Sequence, residues 1–92
     1  MPTTFEQIVI RIIKEQELII GPLALSEAKK VSGLFVDSNN NIKFEGDPKK
    51  IIDDLVARYE KLFGRASHEV CKEAVSSIIA TLSVEEVPLS LK

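Results

Sequence analysis

The chain has 92 residues, 45% hydrophobic and 28% charged, with a net charge of −2. That length holds one domain with a small core, the composition is that of a folded chain rather than a disordered one, and the slight acidity argues against nucleic acid as the partner. The N-terminus lacks the basic stretch, apolar run and cleavage site of a secretory signal, and Arg11, Lys14, Glu15 and Glu17 break the longest apolar runs short of the ~18 residues a membrane span needs.

A lone cysteine, Cys71, can form no intramolecular disulfide and no thiolate cluster by itself. A reducing, cytoplasmic setting without a membrane anchor is the expectation. With no Trp, one Tyr and four Phe, the core must be aliphatic.

Thr3 or Thr4 can cap a first helix, with Glu6 or Gln7 three residues on to complete a capping box. Phe5, Ile8, Val9, Ile12, Ile13 and Gln16 then recur at helical spacing, a stripe that continues into Ile19 and Ile20. Gln16 is its one polar member. Gly21-Pro22 must break or kink the helix, because proline offers no amide donor and clashes with the turn before it. "LALSEAKKV" reads helical again, Pro22 suits its first turn, and Gly33 is the expected stop, with Lys29 and Lys30 in the last turn.

"LFVDSNNNIKFE" reads as a hairpin. A two-residue Asn39-Asn40 turn would set Val36 against Lys43 and mix the faces. A loop of three or five residues sets Val36 against Ile42 and Leu34 against Phe44, which puts four apolar side chains on one face and is the preferred register. Asp37, Asn39 and Asn41 imitate the first ligands of an EF-hand loop. Counted from Asp37, however, the sixth position is Ile42 where glycine is needed, and the twelfth is Pro48 where a bidentate glutamate is needed. The stretch is a turn, and no metal or cofactor is expected.

Asp47 and Pro48 open the next helix as cap and first residue. Ile51, Ile52, Leu55, Val56, Tyr59, Leu62 and Phe63 share one face, and Gly64 ends it. A last long helix from Ala66 or Ser67 carries Val70, Cys71, Ala74, Val75, Ile78, Ile79 and Leu82. Residues 84–92 are expected to be a loosely ordered tail. The predicted fold is thus a helix-rich α+β domain over 1–92: a kinked N-terminal helical segment, one antiparallel hairpin and two C-terminal helices.

Chemistry is sparse. His68 and Cys71 lie three apart on one helix, but zinc would need further ligands and no second His or Cys exists. Cys71 sits on the apolar stripe, where a thiol packs as a small hydrophobe, and His68 is placed near solvent. Lys49 and Lys50 flank a helix start that could attract an anion, but Asp47 occupies the amides there. Asp53-Asp54 and Glu85-Glu86 point in different directions on a helix and read as solvated faces. No catalytic role is expected.

Apolar surplus remains. On a helical wheel Ile10 and Leu18 fall off the first helix's main stripe, and Leu25 lies near Leu18 one heptad on. These three are the candidate interaction residues of a non-catalytic protein-interaction or regulatory domain that binds itself or another protein. Strand addition to the open hairpin edges is a second route. The competing class is a DNA-binding regulator, with Gly64 as the turn between two helices and Lys49, Lys50, Arg58, Lys61, Arg65 and Lys72 as its cations. Helix-turn-helix proteins present base-reading side chains there, whereas Arg65, Ser67, His68, Glu69 and Lys72 form no basic cluster.

Overall fold

A computed structural model describes residues 3–37, 39 and 41–92. In chain order the elements are α1 (Thr4–Ile20), α2 (Leu23–Ala28), β1 (Leu34–Val36), β2 (Ile42–Phe44), α3 (Pro48–Phe63), α4 (Arg65–Ala74) and α5 (Ser76–Ile79), followed by two 3₁₀ turns, Val84–Glu86 and Leu89–Leu91. The class is α+β, with helices gathered around one hairpin.

The start of α1 follows its local signal. Thr3 Oγ1 accepts from the Glu6 amide at 3.2 Å, a bond of the kind that holds a helix end by about 1 kcal/mol. Ile8, Val9, Ile12, Ile13 and Gln16 are all buried on one stripe. Each of the four aliphatic members contributes roughly 1.5–3 kcal/mol by leaving water. The helix stops at Gly21, whose amide donates to Glu17 O at 2.9 Å while the backbone turns to φ 67°.

α2 is shorter than expected, ending at Ala28 so that Lys29 and Lys30 lie just beyond it. Gly33 is not its stop. That glycine, at φ +84°, lets the chain enter β1 so closely that a Cβ would lie 2.8 Å from the Glu45 carbonyl oxygen. The close approach belongs to the hairpin, where the Glu45 amide donates to Gly33 O at 2.7 Å.

The hairpin register is the preferred one: Leu34 pairs with Phe44, Phe35 with Lys43, and Val36 with Ile42. Leu34 and Val36 are buried, Ile42 and Phe44 pack partly buried against the core, and the Phe35–Lys43 pair faces out. Asp37 builds the loop, its carboxylate accepting from the amides of Asn39 at 2.8 Å and Asn41 at 3.0 Å and from Asn41 Nδ2 at 2.9 Å. These bonds hold the Asp37 carboxyl below its ordinary range. Asn40, part of the asparagine run, lies outside the described residues.

Asp47 caps α3 by accepting from the Lys49 amide at 3.0 Å, and Pro48 takes the first helical position. Ile51, Ile52, Leu55, Val56 and Tyr59 are buried as read, while Leu62 remains half exposed. Gly64 alone separates α3 from α4, and the two helices pack against each other.

Two expectations at the C-terminal end need correction. The last helix is not continuous: Val75 leaves helical geometry at φ −114° and ψ 6°, dividing α4 from the short α5. Ser76 Oγ bonds back to Glu73 O at 3.2 Å, the competition with backbone pairing that weakens serine inside helices. Residues 84–92 are not a loose tail either. Val87, Pro88 and Leu91 are buried, and the second 3₁₀ turn packs on both α3 and α4. The segment folds back because it brings apolar side chains to the seam between those helices. Ser83 begins it, with its amide and hydroxyl donating to Glu86 Oε1 at 3.0 and 2.9 Å.

Candidate interaction surface

The three residues singled out for interaction meet different fates. Leu18 is 81% exposed, Ile10 is half-buried, and Leu25 packs partly buried against the core cluster. Placing Leu25 one heptad beyond Leu18 assumed an unbroken helix, and the break at Gly21 resets the helical phase. Two residues that the sequence reading did not choose stand beside Leu18 in the chain instead. Ile19, which continues the apolar stripe in sequence, is 59% exposed because it lies at the end of α1, and Leu23 is 51% exposed. Leu18, Ile19 and Leu23 are thus all exposed close to the corner where α1 turns through Gly21-Pro22 into α2.

The corner is held from beneath. Tyr59, fully buried on α3, donates its hydroxyl to the Ala24 carbonyl of α2 at 2.6 Å. Burial pushes that phenol well above its ordinary range, so it stays a donor. Glu27, also on α2 and only 8% exposed, receives Arg58 of α3 at 2.9 Å and Lys30 at 3.0 Å. The Lys30 hydrogen bond first, and then Arg58, hold its carboxyl below the usual range against the opposing effect of burial. Two cross-bonds thus fix α2 on α3, and the Gly21-Pro22 corner is a supported one.

A hollow between α1 and α4 runs beside it, lined by Arg11, Glu15 and Ile19 from one helix and Val70, Glu73 and Ala74 from the other. Arg11, Glu15 and Glu73 make no ion pair among the described residues. The hollow is thus mainly polar, with both signs of charge set around Ile19, Val70 and Ala74.

Beneath that hollow, Gln16 crosses from α1 to α4, with Nε2 donating to Ser67 O at 3.0 Å and to Cys71 Sγ at 3.3 Å. Its Oε1 is buried without a partner. Cys71 is fully buried, and burial pushes its thiol up to about 11, so it is a poor nucleophile. His68 points elsewhere. Its two ring nitrogens meet Glu60 and the Ser90 carbonyl, so the three-residue spacing creates no His–Cys pair.

The remaining candidates resolve into local structure. Lys49 donates to the Glu85 carbonyl at 2.8 Å, and Arg58, one of the six cations of the DNA-binding reading, is held by Glu27. Arg65, His68 and Lys72 share their hollow with Glu60 and Glu69. Asp53 and Glu86, read as solvated, each accept hydrogen bonds at the C-terminal segment. Among the described residues, no three His, Cys, Asp or Glu side chains converge as a metal site, and no helix is long and apolar enough to cross a membrane. Comparison with protein families, characterised proteins and solved structures finds no match to this chain.

Proposed function

We propose that this domain is a non-catalytic interaction module of the cytoplasm that associates with a second copy of itself through the Leu18–Ile19–Leu23 corner and the adjoining α1–α4 hollow. The exposure of three large aliphatic side chains around one supported turn carries the reading. Single exposures elsewhere, at Phe35, Leu62, Val84 and Leu89, need no explanation, whereas three near one supported turn offer apolar surface that association would bury. The unpaired charges of the hollow favour a like partner. In a two-fold contact the same patch meets itself, and Arg11 of each copy can face Glu15 or Glu73 of the other. A single buried free thiol supports the reducing compartment.

The DNA-binding alternative has less support, because the cations around Gly64 are paired or interleaved with carboxylates. Light scattering on a sizing column across a range of concentrations tests the proposal, alongside Leu18→Glu. A wild-type dimer that the substitution converts to a folded monomer is the expected outcome. A monomer at every concentration overturns self-association and points to a different protein as partner. A dimer indifferent to Leu18→Glu overturns the corner as the contact.

A further inference from the structure

His68 stands near the start of α4, with its ring partly buried between α3 and the C-terminal segment. Nδ1 lies 2.6 Å from Glu60 Oε2, and Nε2 lies 2.5 Å from the Ser90 carbonyl oxygen. A carboxylate and a carbonyl both accept and neither donates. Only the imidazolium satisfies the two together, since a neutral ring in either tautomer turns one lone pair toward an acceptor. Ser90 is gripped a second time, its amide and hydroxyl donating to Asp53 Oδ1 of α3 at 2.9 and 2.6 Å. Its neighbour Leu91 is 5% exposed and belongs to the core cluster.

We propose that His68 is a protonation-operated clip: as the imidazolium it fastens the Leu89–Leu91 turn across the seam of α3 and α4, and on losing its proton it releases the turn's α4 side. The charged groups near the ring are Glu60 from α3 and Arg65, Glu69 and Lys72 from its own helix; Asp53 of α3 holds the same serine from the other side, and the turn itself presents the Ser90 carbonyl. The carbonyl bond first, and then the Glu60 carboxylate, raise the imidazole above its ordinary value, with burial opposing them.

The sign follows from that direction. A folded-state value raised above the unfolded ~6.5 means that the clip's contribution is complete below that pH. It is lost as pH rises through the folded value, so loosening belongs to the alkaline side. The Asp53 grip does not involve the imidazole, so the turn slackens while the domain stays folded. What slackening uncovers is the part of α4 that the Leu89–Leu91 turn, with its buried Leu91, now covers.

The chain has one histidine, so its ring resonances need no assignment. NMR from about pH 5 to about pH 9 should follow the His68 ring proton together with the heteronuclear NOE of the Leu89, Ser90 and Leu91 amides. The expected result is a ring midpoint above ~6.5 and a fall in the three NOEs at that same midpoint, with Ile8 and Ile12 in α1 unchanged. Glu60→Gln should move both midpoints down together. A ring midpoint at or below ~6.5, or NOEs that stay flat through it, overturns the clip. The wild-type titration decides the matter even if a variant fails to fold.

Discussion

Replacing Gly33 with alanine tests whether the hairpin is pinned by close backbone approach. At φ +84° a side chain costs about 1–2 kcal/mol relative to glycine. The new methyl would also sit 2.8 Å from the Glu45 carbonyl oxygen and 3.0 Å from Ile51 Cδ1. The Ile51 methyl can shift, but the carbonyl cannot do so freely, because its own residue's amide bonds back to Gly33 O. Crowding of that kind adds about 1–3 kcal/mol. Alanine also restricts the unfolded chain, which returns about 0.4–1 kcal/mol. The net loss is then about 1–4.6 kcal/mol, a large share of the roughly 5–15 kcal/mol that holds a natural domain together. Urea unfolding followed by circular dichroism should show the midpoint lowered by about 1 M or more with an unchanged slope. Gly21→Ala is the control, for its φ is +67° but nothing lies within 4 Å of the added carbon. Its ψ of −145° belongs to a region open essentially to glycine, so it should lose the backbone part alone, about 1–3 kcal/mol, less the same return of about 0.4–1 kcal/mol from the unfolded chain. A Gly33→Ala loss no larger than the backbone cost alone, about 1–2 kcal/mol, would refute the close-approach argument.

Two further substitutions or probes address the core. Tyr59→Phe removes the buried bond to Ala24 and should cost about 0.5–1.5 kcal/mol, the net worth of one such hydrogen bond, read as a lower melting temperature with unchanged far-ultraviolet dichroism; an unaltered melting temperature would show that the bond does not hold α2 on α3. Cys71, fully buried with its thiol pushed up to about 11, should resist a disulfide-exchange reagent in the native protein and react promptly in denaturant, and fast native labelling would mean that α4 opens readily.

Much of the fold was legible because local chemistry and periodicity agreed. Thr3 and Asp47 cap where they were expected to, Gly21 and Gly64 end helices, and the pairing of Val36 with Ile42 follows from keeping four apolar side chains on one face. The division of the last helix was hidden because Val70 through Leu82 keep an unbroken helical spacing, and the two serines at 76 and 77 were the weak signal against it. The docked C-terminal segment had a clearer one: Ser83 and Glu86 stand at capping-box spacing, and Val87 and Leu91 supply the apolar contacts. The candidate surface was only partly legible. Leu18 is as exposed as its wheel position implied, but Ile19 and Leu23 depend on how the chain leaves Gly21, a dihedral that no periodicity encodes. The Glu27–Arg58 and His68–Ser90 contacts join residues 31 and 22 positions apart, and nothing local foretells them.

The Gln16–Ser67 bond spans 51 positions, and it marks a closure between the first long helix and α4. Loop-closure entropy rises only slowly with such a separation, so the finished domain loses little by it. Timing is affected more. As the chain emerges during synthesis, the apolar stripe of α1 has its α2 neighbour early, whereas α4, which seals its other side, follows only after the hairpin and α3. For that interval the half-covered stripe is sticky surface of the kind that draws chaperones or clumps nascent chains.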